Sequence, residues 1–295
     1  KSIDIRALID RVATVDQAGE LYRDLVDSKD TPPLAVIFAY PEDTRPLPDP
    51  ADAPIIQLRG HRKPQDGRVN YALVGAGGFG TAMLVPQMDK RKDRFFLKAV
   101  VSRDAVRGGN FARQKGIELL ASDIETVLAR EDIDLVVLAT RHNEHARQVI
   151  RALEAGKHVF VEKPLALTWD ELDAVRKAQE LNGGKNAIMV GFNRRFSPAV
   201  QALAKALKSR PAPLVMNYRL NAGFLPMTHW TQGPEGGGRN IGEACHMYDT
   251  LRFLAGAGVV DVNAAAVDPA DTAYFRNDNF IATMRYADGS VGSLV

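Results

Sequence analysis

What this 295-residue chain has little of narrows the field first. It holds one cysteine, Cys245, so no disulfide can close within it, and that usage fits a reducing cytoplasm. No apolar run approaches the roughly 20 residues that a membrane-crossing helix needs. No signal peptide opens the chain, although a start at Lys1 leaves room for a missing leader. An excess of one charge is also lacking. The 38 Lys and Arg against 36 Asp and Glu leave a net charge of +2, too little for a nucleic-acid surface. There is no internal repeat, and the composition, 45% hydrophobic and 25% charged, is that of a globular protein with room for two or three cores.

The first sixty residues stand apart. Val15, Ala18, Leu21, Tyr22, Leu25 and Val26 follow helical spacing behind Thr14 or Asp16 as a cap. Residues 34–40 read as a buried strand. Prolines at 41, 46, 48, 50 and 54 then mark a linker. One helix and one or two strands make too small a core, so this segment must pack on something else.

From Val69 strand and helix alternate, which is the pattern of a parallel sheet. Strands are predicted over 69–74, 95–101, 134–140, 158–161 and 187–190, with helices over 79–88, 105–115, 144–154 and from 169 to the Gly183-Gly184 stop. Ser122-Asp123-Ile124-Glu125 and Thr168-Trp169-Asp170-Glu171 read as capping boxes. Beyond Gly191 the strands (214–220, 259–266, 280–286, 290–295) and two helices (198–207, 242–254) indicate an α+β domain with a mostly antiparallel sheet. The fold class is therefore α/β: a Rossmann dinucleotide-binding domain at 63–191 and an α+β domain with an open sheet at 192–295, preceded by a separate segment, 1–62.

Three motifs carry chemistry. Gly75-Ala76-Gly77-Gly78-Phe79-Gly80 follows a strand and opens a helix, as a dinucleotide turn must: Gly75 for the tight turn, Gly77 and Gly78 where backbone approaches pyrophosphate, Phe79 and Gly80 where the helix packs. The next strand ends in Ser102-Arg103 with Asp104 one step later. A hydroxyl and a guanidinium suit a 2′-phosphate better than a bare diol, so NADP is favoured slightly over NAD. Thr140, Asn143 and His145 lie past the third strand, at the nicotinamide side; His145 can equally be structural.

The second motif, Glu162-Lys163-Pro164, ends an apolar strand at the edge where α/β ligands bind, and Lys163 there can meet a reacting oxygen. Asn193, Arg194 and Arg195 open the next domain and can bind a polar substrate or join the domains. The third motif runs from Gly236 to Asp249. Glu243, His246 and Asp249 share a helical face, and His246 suits proton transfer. His229 and Trp230 precede it as candidate substrate contacts. Cys245 and His246 point different ways on a helix and no second ligand cluster exists, so no metal site is assigned.

The glycine turn, Glu162-Lys163-Pro164, Gly191-Phe192-Asn193-Arg194-Arg195-Phe196 and the Gly236-Gly237-Gly238…His246 stretch, in this order and spacing, resemble the glucose–fructose oxidoreductase and inositol dehydrogenase family (Gfo/Idh/MocA). The resemblance covers 69–295. It implies hydride transfer between NAD(P) and a sugar, cyclitol or nucleotide sugar, with Lys163 and His246 as the catalytic pair and oligomer contacts on the open sheet. A sensor that has lost the chemistry, or a lyase or epimerase using bound NAD transiently, remain alternatives. The family often places an aspartate four residues before the histidine. That position is Gly242 here, with Glu243 beside it, and on a helix a one-residue step rotates a side chain by about 100°. The first forty residues are instead similar to the C-terminal tail of zinc-type medium-chain alcohol dehydrogenases, without zinc ligands. This implies a longer fusion with such a module upstream.

Overall fold

The computed structural model describes residues 8–27, 33–39, 55–58, 67–268 and 278–295. The chain divides into two units, 1–48 and 49–295. In the first, β1 (Arg11–Thr14) pairs in parallel with β2 (Val36–Ala39), Arg11 facing Val36. A parallel pair needs a crossover, and α1 (Ala18–Asp27) lies in it, entered through a single 3-10 turn. The Thr14 N–H donates to Gln17 Oε1 at 3.0 Å, which secures that entry. The expected proline linker at 41–54 lies outside the described residues.

The second unit begins with β3 (Ile56–Gln57), a short strand that no sequence pattern announced. Then come β4 (Val69–Val74), β5 (Phe95–Val101), β6 (Leu119–Ala121), β7 (Leu135–Leu138), β8 (His158–Val161) and β9 (Ile188–Val190). They form one sheet in the order β3-β6-β5-β4-β7-β8-β9, parallel throughout except for β3 against β6. The strand order reverses between β4 and β7, so a crevice opens at their carboxyl ends. Along β4, Tyr71 and Leu73 join one core layer and Ala72 and Val74 the other. Helices cover both layers: α2 (Val85–Asp89), α3 (Ala105–Lys115), α4 (Glu125–Leu128), α5 (His142–Glu154) and α6 (Trp169–Leu181).

Two local departures have physical causes. The expected helix 79–88 starts as a wide turn, Gly80–Leu84, in which the Val85 N–H reaches back to Gly80 O. Pro86 follows, and it has no N–H with which to tighten the ladder. The expected Ser122–Glu125 capping box is not how α4 begins: Asp123 Oδ1 accepts from the Glu125 N–H at 2.8 Å, a shorter loop that does the same work. The Thr168–Glu171 box is present as read.

The last part carries α7 (Pro198–Leu207), β10 (Val215–Tyr218), α8 (Cys245–Ala255), β11 (Val259–Ala266), β12 (Phe280–Tyr286) and β13 (Val291–Leu294). The sheet order is β10-β13-β12-β11, antiparallel except for β10 with β13. Met284, Tyr286 and Leu294 pack on Met247, Leu251 and Ala255 of α8. The opposite face is open, with Val215 89% and Ile281 52% exposed. Among the described residues no helix is long and apolar enough to cross a membrane.

Candidate active site

The glycine turn shows what each glycine is for. Gly75 has φ +96°, and a Cβ there would lie 2.6 Å from Ala139 O at the end of β7. A Cβ at Gly80 would come 3.0 Å from Gly75 O. These two seat the turn against its neighbours. At Gly77 and Gly78 a Cβ would meet nothing within 4 Å, so that side is an open floor. A closed seat below an open, amide-lined floor fits the pyrophosphate of a dinucleotide. Phe79, exposed, borders it.

At the end of β5, Ser102 turns inward, its hydroxyl donating to Asp104 O at 2.9 Å, and Asp104 caps α3 through the Arg107 N–H. Arg103 is 80% exposed and pairs at 3.3 Å with Glu144, which also pairs with Arg147. At the end of β7, Thr140 donates its hydroxyl to Gln148 Oε1 at 2.7 Å. His145 is fully enclosed. Its Nδ1 lies 2.7 Å from Pro164 O and its Nε2 3.3 Å from Thr140 O. Burial lowers its pKa, so the neutral ring donates once, across the shorter contact. His145 therefore has no free nitrogen for a cofactor; it holds the turn that carries Lys163. Asn143 is exposed, and its N–H donates to Glu235 O.

Lys163 leaves the end of β8 through a cis Lys163–Pro164 peptide. Its Nζ donates to Gly242 O at 2.7 Å and stands 3.5 Å from Glu243 Oε2. Arg194 donates to Glu243 Oε1 at 2.7 Å. Glu243 is thus shared between a lysine and an arginine, and the helical offset from position 242 does not carry it away. The reason is local: residues Asn240–Ala244 wind as one wide π turn before α8. A wider turn changes the angle per residue, which the 100° argument takes from an ordinary helix. Glu162, beside Lys163, is buried with its carboxylate against Gly191, where a Cβ would come 2.7 Å from Oε1. Burial pushes its pKa up to about 7.

One turn along, His246 is buried, with Phe192 edge-on at 6.2 Å and an Nδ1 that has no hydrogen-bond partner among the described residues. Burial first, then the charges of Lys163 and Arg194, bring its pKa down to about 4 against the opposing pull of Glu243 and Asp249. Burial also raises the neighbouring Cys245 thiol to about 11, which keeps it protonated. Among the described residues no three Asp, Glu, His or Cys side chains form a metal-holding group.

The remaining candidates divide. Trp230 enters the site region: Arg141 covers its ring at 4.1 Å and His142 meets it edge-on at 4.8 Å. His229 turns to Thr231, and its Nδ1 lies 2.8 Å from the Thr231 hydroxyl. Arg195 is paired through two nitrogens with Asp249 and covers Phe253, so it ties α8 to the start of this domain. Asn193 is exposed at the head of the short 3-10 turn Arg194–Phe196. The sequence reading missed His142, which lies between two residues it chose. The available signal was Gly242, a glycine on a helix, which implies that something else fills the space beside it. A cavity of about 760 Å³, lined in part by Arg219, Phe224, Arg239 and Phe280, meets the site at Glu243.

Residues 69–192 match the model of an oxidoreductase family with an NAD-binding Rossmann fold, and 214–295 match that family's C-terminal alpha/beta domain. The chain is 39% identical over 133 residues to a 4-carboxy-2-hydroxymuconate-6-semialdehyde dehydrogenase of a Sphingobium species, across 45% of this chain and 41% of that one. It is 30% identical to an inositol 2-dehydrogenase of Rhizobium meliloti, across 70% of this chain and 60% of that one. It spans less than two thirds of the length of both. A levoglucosan dehydrogenase solved with NADH and levoglucosan superposes with a TM-score of 0.64 at 28% identity, across 77% of this chain and 66% of that one. Two models of one family, matched in order over residues 69–192 and 214–295, settle the kinship: the chain belongs to the Gfo/Idh/MocA oxidoreductase family.

Proposed function

We propose that this chain carries the hydride-transfer site of an NAD(P)-dependent dehydrogenase that acts on a hydroxyl or carbonyl carbon of a sugar, cyclitol or nucleotide sugar. One observation carries the reading. Lys163 at the end of β8 stands 3.5 Å from Glu243, both charges act on His246, and the glycine turn leaves β4 at the same carboxyl edge of the parallel sheet. A bound nicotinamide dinucleotide supplies the hydride acceptor or donor; Gly75, Gly77, Gly78 and Gly80 would hold its phosphates. The rest falls to the protein. In the oxidative direction neutral His246 accepts the hydroxyl proton, and in reduction it returns one. The Lys163 ammonium stabilises negative charge on the reacting oxygen. Glu243, clamped by Arg194, keeps that ammonium in place. Trp230 and Asn193 border the substrate.

Finer features belong to the same proposal. Arg103, exposed just past β5 and paired only loosely with Glu144, can turn to the 2′-phosphate of NADP, while Asp104 is engaged in capping α3. The open face of the β10–β13 sheet serves a homo-oligomer. The first unit continues an alcohol-dehydrogenase-like module upstream, and the whole works in the cytoplasm. The reading is tested by following reduced nicotinamide with sugars, inositols and nucleotide sugars, each with NAD and NADP. Turnover with a polyol supports it; tight cofactor binding without turnover of any of them sinks it.

A further inference from the structure

Glycine at 242 leaves a space, and the imidazole of His142 fills it. A Cβ built on Gly242 would come 3.0 Å from His142 Cε1 and 3.3 Å from its Nδ1. The ring arrives from the Rossmann part, at the first residue of α5. Its Nδ1 stands 2.9 Å from Gly236 O. A carbonyl only accepts, so Nδ1 carries the proton. Trp230 meets the ring at 4.8 Å and is itself covered by Arg141, which fixes the ring plane. Burial, then the charges of His145, Lys163 and Arg141, bring its pKa down to about 4 despite the Gly236 carbonyl, so the ring is neutral near pH 7.

A neutral ring protonated on Nδ1 has its lone pair on Nε2. No described residue hydrogen-bonds that Nε2, and it is not sealed from solvent as His246 Nδ1 is. His145, three residues on, is the contrast, since both of its nitrogens face carbonyls. Gly242 also gives its own carbonyl to Lys163. The imidazole edge formed by Cε1 and Nδ1 therefore takes the space that a side chain at 242 would otherwise occupy, against the residue whose carbonyl holds the lysine, and its Nε2 is left as the ring's free acceptor.

We propose that His142 is a substrate-contacting residue whose Nε2 accepts a hydrogen bond from a hydroxyl adjacent to the reacting one, and that Gly242 is glycine to make room for it. The substrate is then a polyol with two neighbouring hydroxyls, one at Lys163 and His246 and one at His142. This rests on the dehydrogenase reading above. It is tested by titrating myo-inositol, glucose and levoglucosan into the protein–NADH complex, and by steady-state oxidation of the same compounds. The variants are His142→Ala, His142→Asn, Gly242→Asp and the His142→Ala, Gly242→Asp double variant.

Losing one acceptor to a bound hydroxyl should lower kcat/KM and polyol affinity about 10- to 100-fold in His142→Ala, with NADH affinity kept within about twofold. Asparagine, with a donor for Gly236 O and an acceptor to spare, should restore most of the loss. Gly242→Asp should fail alone, because its carboxylate and the imidazole contest one space, and should regain at least about tenfold when His142 is removed. Unchanged kcat/KM in His142→Ala, or full activity of Gly242→Asp beside an intact His142, overturns the role of His142 and leaves the dehydrogenase reading standing. If His142→Ala unfolds, the asparagine and double variants, which refill the space, decide the matter. An unaltered protein that binds NADH but neither binds nor oxidises any polyol overturns the dehydrogenase reading itself.

Discussion

Burial decides the protonation of His142, His246 and Glu162, and each consequence can be measured. His246 faces Lys163, Glu243, Arg194 and Asp249, and the balance leaves it neutral down to about pH 4. The acid limb of oxidation should therefore lie well below pH 6, where an ordinary histidine would lose its base form near 6.5. A limb at 6.5 would show that burial does not govern this group. Stability follows the same logic. His142 and His246 have folded pKa values below their unfolded ones, so their contribution is complete above about pH 6.5 and is lost as pH falls toward 4. Glu162 has the opposite sign: its folded pKa is raised, so its contribution is complete below about 4.5 and is lost as pH rises through about 7. Between 4.5 and 6.5 two histidines oppose one carboxylate, so acidification should destabilise the fold. Glu162→Gln should steepen that fall in denaturant titrations at pH 7, 6 and 5. Lys163→Ala should reduce turnover about 100-fold or more while leaving cofactor binding intact; full turnover would remove Lys163 from the mechanism.

At the scale of elements, the loop 229–239 and the π turn after it form one device that places Gly242, Glu243 and Trp230. Its tightest point is Gly236, where a Cβ would lie 2.2 Å from Thr231 Cα, a backbone atom that cannot step aside. Gly236→Ala must therefore push the loop apart. It should lower stability by about 1–3 kcal/mol and lose polyol turnover more than cofactor affinity, since the Gly75–Gly80 turn is separate. Equal losses in both would mean that the two elements are coupled. These elements also mark how far the sequence could be read. The β4 strand and its glycine turn, α3, α7 and β11 were legible because their periodicity and caps are local. The position of Glu243 was not, because a π turn changes the angle per residue without any residue type to announce it. His142 was hidden for a related reason: its neighbour in space, Gly242, is a hundred residues away in sequence, and only the crossing of the two domains brings them together.

Across the whole molecule, alternation told that strands and helices follow one another but not which strands are neighbours. The right-handed crossover rule and helices on both faces narrow the possible orders without selecting one, and the order adopted is β3-β6-β5-β4-β7-β8-β9. The small edge strand β3, two residues long, carries too little pattern to be seen in advance. The second sheet differs, since helix α8 covers only one of its faces. Along β12, Ala282, Met284 and Tyr286 are buried while Ile281, Thr283 and Arg285 alternate outward. Arg285 and Val291 are paired, as are Val215 and Val291, so Val215, Val291 and Ile281 lie on one outer surface. An open sheet face with this much apolar exposure is what a partner copy would cover. Lysine at Val215 and Ile281 would place two charges within that contact and leave α8, Lys163 and the glycine turn untouched. In sedimentation, the unaltered protein should run as an oligomer, and the Val215→Lys, Ile281→Lys double variant should run as a smaller species with an unchanged circular dichroism spectrum. Identical sedimentation of the two would place any self-association on another surface, because two desolvated lysines facing their own copies cost several kcal/mol across a two-fold contact.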